Sequence, residues 1–181
     1  MIETKLNYIG SINLGCEVIC SDPCYTDYGI DSNINTYIKN VKRGIYNAYY
    51  ETMQLKGWGN RISSIIVFNA MYEDGIYKEI DTTDFEWYGD CCVDSGTCGI
   101  FDYDFYDDTH DDEDYHNEWY DVYICKLLDK VALFEGNSIC SSSGLGDGCY
   151  GVYVKYDDNG KVIAIQIKYI DKEDDDEENE Y

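Results

Sequence analysis

The chain has few positive charges, a single proline (Pro23) and no long apolar segment. Its 181 residues include 13 Lys and Arg against 37 Asp and Glu, and the formal net charge is −24 at pH 7. Nucleic acids and anionic membranes bind proteins through Lys and Arg, so we expect this chain to bind neither directly. No apolar run approaches the roughly 20 residues of a membrane-spanning helix. The favoured partners are cations and basic proteins.

The start of the chain lacks the pattern of a secretory signal, because Met1 to Asn7 has no basic segment followed by an apolar one. Nine cysteines are present, an odd number. We therefore expect a cytoplasmic protein with reduced thiols, most of them small buried hydrophobic residues. A zinc site remains an alternative for two cysteine groups, Cys16, Cys20 and Cys24, and Cys91, Cys92 and Cys98.

Length and patterning predict an α+β fold, mainly antiparallel β-sheet with one or two helices. We expect one domain over residues 1–170 and a disordered acidic tail over residues 171–181. The tail has eight acidic residues and one Lys, with no apolar anchor before Tyr181. A helix is predicted over residues 114–129, where the acidic start and the basic end suit the helix dipole. A second, short helix is expected within residues 30–39.

Strands are predicted where apolar and polar residues alternate. Residues 6–12 and 16–20 are expected to form a hairpin around Gly15. Residues 44–53 and 61–69 predict two strands, the second central in its sheet because Ile65 to Phe68 is continuously apolar. Residues 85–88 and 91–93 predict short strands before a turn at residues 94–96. The clearest hairpin has a half-buried strand over residues 161–170, which pairs with residues 150–156 across a turn at residues 157–160.

Besides the tail, a second strongly acidic segment runs from Asp102 to Asp114 and contains no Lys or Arg. Its acids alternate with aromatic residues, so carboxylates can stand where phosphates would in a nucleic acid and rings can offer base-like faces. Such a surface attracts a basic nucleic-acid channel. A solvated loop beside a helix start is the alternative, and calcium binding is a weaker one because the Gly and distal Glu of an EF-hand loop are missing. The predicted partner contacts are Asp102, Tyr103, Asp104, Tyr106, Asp107, Asp108, Asp111, Asp112, Glu113 and Asp114.

A glycine-rich segment, Ser143 to Gly148, is the most motif-like part of the chain. It lacks the Lys-Ser/Thr ending of a phosphate-binding loop and precedes a strand, so a tight structural turn is the simpler interpretation. Only His110 and His116 are available for a Cys–His or Ser–His pair, and nothing marks a partner for either. No catalytic residue, cofactor or metal is assigned. The motif residues of interest are Asp22, Asp94, Ser95, Gly146, Asp147 and Gly148.

Three segments resemble a family of small, functionally uncharacterised proteins found in bacteria and phages. Ser21 to Tyr25 is similar to its S-D-P-C element, Cys92 to Asp102 to its V-D-S-G-x-x-G-x-F-D segment, and Ser143 to Tyr153 to its S-G-x-G-D-G-x-Y-x-V-Y signature. The segments occur in the family's order. The resemblance implies a shared architecture without an activity, and the acidic insert and tail depart from the family's plainer pattern.

Two functions follow as expectations. The first is an acidic binding protein, an anti-CRISPR-like nucleic-acid mimic from a phage setting, which occupies the basic surface of a bacterial nuclease. The second is a small metal-assisted hydrolase in which Asp22, Asp94 and Asp147 converge near the glycine turn and hold a divalent cation. Replacing the acids of the Asp102–Asp114 segment tests the first function, and Asp147→Asn tests the second.

Overall fold

Eleven β-strands in two antiparallel sheets make up most of the described chain. A computed structural model describes residues 4–25, 33–73, 75, 77–110 and 131–171, with residues 107–110 described by their backbone alone. The strands are β1 (Thr4–Leu14), β2 (Glu17–Ser21), β3 (Thr36–Lys39), β4 (Gly44–Leu55), β5 (Gly59–Asn69), β6 (Glu86–Val93), β7 (Thr97–Asp102), β8 (Val131–Phe134), β9 (Ser138–Ser142), β10 (Gly148–Tyr156) and β11 (Val162–Lys168).

The first sheet has six strands in the order β1-β4-β5-β11-β10-β6, and the second has five in the order β3-β2-β7-β9-β8. Apolar side chains of both sheets meet in one core, for example Ala48 and Ile165 of the first sheet and Val18 and Ile100 of the second. Alternation places these side chains on the inner faces, as expected for two packed sheets.

The α+β prediction is wrong for the described residues. They contain a single α-helix, α1 (Tyr103–His110), and one 3-10 turn at Ala70–Tyr72. The short helix predicted within residues 30–39 is replaced in its described part by a turn and β3, because Tyr37 and Ile38 lie on a strand paired with β2. The helix predicted over residues 114–129 and the tail after Asp171 lie outside the described residues. No helix among those described is long and apolar enough to cross a membrane.

The predicted hairpin around Gly15 is also wrong, although both of its strands exist. Strand β1 pairs with β4 in the first sheet, while β2 pairs with β3 and β7 in the second. The chain passes from one sheet to the other at Gly15, whose N–H donates to the Asp102 carboxylate. Alternating side chains predict a strand and its buried face, but they do not identify the neighbouring strand.

The other strand predictions fare better. The two strands predicted over residues 44–53 and 61–69 are present as β4 and β5. They pair antiparallel, and β5 lies inside its sheet between β4 and β11, as predicted. Residues 85–88 and 91–93 belong mostly to one strand, β6. The β10–β11 hairpin is confirmed, but β11 is buried on both faces. Gln166 on its second face borders a cleft whose wall includes Ile80 and Thr82 from the β5–β6 connection.

Candidate functional site

The buried carboxylate of Asp22 joins two of the predicted motif segments. Asp22 follows β2 and is completely buried. Its Oδ2 accepts hydrogen bonds from the backbone N–H groups of Asp94 and Ser95, both at 2.8 Å. Its Oδ1 accepts from the Ser95 hydroxyl at 2.7 Å and from the Cys24 N–H at 2.8 Å. We call Asp22, Cys24, Asp94 and Ser95 the Asp22 cluster. Four donors satisfy this buried charge, so its chief effect is to fix the turn between β6 and β7.

The glycine-rich turn packs beside the Asp22 cluster through backbone contacts. The N–H of Ser143 donates to the carbonyl of Gly96 at 3.0 Å. Within the turn, the Gly146 carbonyl accepts from the Ser143 hydroxyl at 2.7 Å and from the Tyr150 hydroxyl at 2.5 Å. Gly144 has a φ of 63°, and a Cβ there would lie 3.0 Å from side-chain atoms of Tyr169 and Ile170. These contacts agree with the interpretation of the segment as a structural turn.

The three motif carboxylates do not form a metal-binding group. Gly148 pairs with Val93 in the β10–β6 ladder. Asp147, which precedes β10, and Asp94, which follows β6, therefore lie at the same end of these two strands. Both of these residues are exposed, whereas Asp22 is buried and fully hydrogen-bonded. Among the described residues, no group of three or more His, Cys, Asp or Glu is placed to hold a metal ion. Gly146 lies in the turn and Gly148 begins β10. No contact of Asp22, Asp94 and Asp147 favours a shared cation.

The acidic segment begins at a structural residue. Asp102 ends β7, and its carboxylate accepts from the backbone N–H of Gly15. Its other oxygen accepts from the N–H of Phe105 at 3.4 Å. An Asp that binds a backbone N–H three residues later satisfies one of the unpaired donors at the start of a helix. Asp102 therefore anchors α1 to the turn between β1 and β2.

Acidic and aromatic side chains meet on the surface beside the start of α1. The rings of Tyr103 and Tyr37 lie 5.0 Å apart between centroids, and Asp104 is exposed next to them. Burial and a hydrogen bond with Glu17 raise the pKa of Tyr37. Lys39 Nζ lies 5.0 Å from the Tyr37 ring centroid. We call Glu17, Tyr37, Tyr103 and Asp104 the acid–aromatic surface.

Tyr106 does not fit its predicted place in the partner contact, because its side chain points into the protein. It is 6% exposed, and its ring lies 5.1 Å from that of Phe101. Its hydroxyl donates to the Tyr25 carbonyl at 2.9 Å and to the Ser21 hydroxyl at 3.1 Å. Burial raises its pKa. Tyr106 therefore fixes α1 to the second sheet. The side chains of Asp107, Asp108 and His110 are not among those described, and residues Asp111, Asp112, Glu113, Asp114 and His116 lie outside the described part of the chain.

The eight cysteines among the described residues adopt three environments. Cys92 and Cys149 form a disulfide between β6 and β10, so the prediction of reduced thiols is wrong for this pair. Cys20, Cys91, Cys98 and Cys140 are buried free thiols, as predicted for most cysteines, while Cys24 is half-buried and Cys16 exposed. Burial raises the pKa of Cys98 and Cys140 well above the usual value. The two zinc alternatives gain no support from the described residues, which include both cysteine groups.

Two surface features have little distinctive pattern in the sequence. Trp87 on β6 is 62% exposed, and its indole N–H donates to Asp90 at 3.2 Å. Trp58 and Leu145 border a small cleft of about 210 Å³ that Arg61 also lines. An exposed Trp between two glycines, as in Gly57-Trp58-Gly59, was the one available signal for this cleft.

Comparison with known proteins identifies a family without assigning an activity. No curated protein matches the chain, and no solved structure matches it. One family model, described as a protein of unknown function (DUF4241), matches residues 15–167, a range that contains the Asp22 cluster and the glycine-rich turn. Because the match covers well over half of the sequence, the chain belongs to the DUF4241 family of proteins of unknown function.

Proposed function

We propose that this protein is an acidic inhibitor that occupies the basic, nucleic-acid-binding surface of a bacterial nuclease, in the manner of phage-encoded anti-CRISPR proteins. The observation that carries the proposal is the concentration of acid beside half-buried aromatic rings at the surface. Eight acidic residues without a Lys or Arg run from Asp102 to Asp114, in a chain whose net charge is −24. The described start of this segment, Tyr103 and Asp104, belongs to the acid–aromatic surface.

Electrostatic complementarity raises the rate at which this protein associates with a basic partner and disfavours binding to acidic ones. A nuclease channel that binds phosphates has clustered Lys and Arg, and its field attracts a strongly acidic protein over long distances. At 0.1 M ionic strength, salt largely screens this attraction between charges that are more than about 10 Å apart. Aromatic rings among the acids add contact area with little loss of side-chain freedom. A mimic of this kind competes with nucleic acid for one surface.

The fold supports the proposal by holding the start of the acidic segment in place. Asp102 ties the first turn of α1 to Gly15, and Tyr106 ties the helix to Ser21 and Tyr25. A contact surface that is already ordered loses less conformational entropy when it binds. Asp102 and Tyr106 are therefore supports in this proposal, while Tyr103, Asp104 and the acids that follow supply the contact.

The test compares two variants with the same net charge. In the first, Asp107, Asp108, Asp111 and Asp112 are replaced by Lys. In the matched control, four acids on exposed residues elsewhere in the fold are replaced by Lys, namely Glu79, Glu86, Asp94 and Asp158. Each immobilised protein is incubated with bacterial lysate at low and high salt, and captured proteins are then challenged with duplex DNA.

We expect the wild type and the control to capture a basic nucleic-acid-binding protein at low salt, and both DNA and high salt to release it. The variant in the acidic segment should capture far less of it. The purified partner should lose DNA cleavage in the presence of the wild-type protein. If the segment variant captures and inhibits as strongly as the control, or if excess DNA does not displace the partner, the proposal is wrong.

A further inference from the structure

Two buried thiols from different sheets lie in direct contact. Cys91 belongs to β6 of the first sheet and Cys98 to β7 of the second, and both are completely buried. Their sulfur atoms are 3.1 Å apart. A disulfide bond is about 2.05 Å long, so the two sulfurs need to approach by roughly 1 Å to become bonded. Most of the approach that a disulfide requires is already present in the fold.

We propose that Cys91 and Cys98 are an oxidisable pair, which forms a second disulfide and cross-links the two sheets when the protein meets a small-molecule disulfide such as oxidised glutathione. This inference is independent of the proposed inhibitor function. The new bond would lie on the inner side of β6, whereas the Cys92–Cys149 disulfide joins β6 to β10 within the first sheet.

The reaction proceeds by two exchanges. Because both thiols are completely buried, the first exchange requires a local opening of the turn between β6 and β7 that exposes one cysteine to solvent. That cysteine, as its thiolate, then attacks oxidised glutathione, forms a mixed disulfide and releases one glutathione thiolate. The second cysteine attacks the protein sulfur of this mixed disulfide and releases the second glutathione thiolate. The two cysteine protons end on the two glutathione thiolates. The protein loses two electrons, and one oxidised glutathione becomes two reduced molecules.

The position of the pair gives the bond a structural consequence. Cys91 and Cys98 enclose the turn between β6 and β7, and the middle of this turn is bound by Asp22 through the N–H groups of Asp94 and Ser95. A Cys91–Cys98 disulfide would close the ends of this turn, whose middle Asp22 already holds by hydrogen bonds. Closing a loop of about eight residues restricts the unfolded chain and raises the thermal midpoint of a domain of this size by roughly 5–10 °C.

Cys140 provides a matched control, because it is also a completely buried free thiol on a strand next to β7. Wild type, Cys91→Ala, Cys98→Ala and Cys140→Ala are each incubated with oxidised or reduced glutathione until labelling is constant. Each sample is unfolded, its free thiols are alkylated, and it is digested without reduction for mass spectrometry. Thermal unfolding is recorded on the same samples.

We expect a Cys91–Cys98 linked peptide in oxidised wild type and oxidised Cys140→Ala, together with the higher thermal midpoint. Cys91→Ala and Cys98→Ala should show neither, and two independent variants guard against the failure of one to fold. Full alkylation of both cysteines in oxidised wild type overturns the proposal. The proposal is also overturned if Cys91 and Cys98 are not bonded to each other and one of them is instead bonded to Cys92, Cys149 or Cys140.

Discussion

Replacing Asp22 by Ala should destabilise the protein strongly, because the change leaves four hydrogen-bond donors without their acceptor. The donors are the N–H groups of Cys24, Asp94 and Ser95 and the Ser95 hydroxyl, at 2.7–2.8 Å. Hydrogen bonds to a charged group contribute about 1.5–3 kcal/mol each. Asp94 is exposed and Cys24 and Ser95 are half-buried, so water will satisfy part of the freed donors. We therefore expect a net loss of about 3–5 kcal/mol.

Equilibrium unfolding in urea measures this loss. With a slope of about 2 kcal/mol per M, the midpoint of Asp22→Ala should fall by roughly 1.5–2.5 M. Asp22→Asn keeps the shape but turns an amide N–H₂ toward donors, so it should lose about 2–3 kcal/mol. Asp94→Ala is the control, because it removes an exposed carboxylate from the same turn and should change stability by less than about 0.5 kcal/mol. An Asp22→Ala protein within about 1 kcal/mol of wild type would refute the structural role assigned to this carboxylate.

Four further predictions concern separate parts of the fold. Hydrogen bonds from the Lys161 N–H and other donors lower the pKa of Asp157 from 3.8 to about 2. The stability that this carboxylate contributes is therefore complete above about pH 4 and is lost as the pH falls through 2. In acid titrations of stability, Asp157→Asn should lose less stability than wild type over this range. Burial and the charge of Asp22 raise the pKa of Cys24 from 9.0 to about 11. Iodoacetamide at pH 8 should therefore label Cys24 at roughly one hundredth of the rate of an ordinary thiol. Labelling at the ordinary rate would contradict the raised pKa. Gly99→Ala should cost about 2–3 kcal/mol in denaturant unfolding, since its Cβ would overlap the sulfur of Cys140 and lie 2.8 Å from a backbone oxygen. Tyr106→Phe should lose about 1 kcal/mol of stability and leave the affinity for a basic partner unchanged, whereas a loss of affinity at full stability would mean that its hydroxyl contacts the partner.

Local sequence signals predicted the elements that depend on neighbouring residues. The turn at residues 157–160 and the alternation on either side of it predicted the β10–β11 hairpin, which the structure confirms. The predicted turn at residues 94–96 is also present, and Gly96 has a φ of 69°. Both predictions worked because turn residues act on the backbone at their own position, whatever the rest of the chain does.

The errors arose where a residue's environment is supplied by distant parts of the chain. Gln166 lies on the face of β11 that the alternation of residues predicts to be exposed. Residues of the β5–β6 connection lie beside it, however, and it is only 7% exposed. Tyr106 lies among acids in the sequence, but Ser21 and Tyr25 bind its hydroxyl. Cys92 and Cys149 are 57 residues apart and share a bond.

The sequence by itself determined the charge of this protein, the two segments where its acids concentrate, and most of its strands, since composition and alternation are properties of the chain alone. Only the tertiary structure decided that β1 joins β4 while β2 crosses to the other sheet, because partner choice depends on packing between apolar faces that are far apart in sequence. It also decided the role of Asp22. A carboxylate becomes a structural centre only when folding brings donors from more than 70 residues away within hydrogen-bonding distance and removes the water that competes for them.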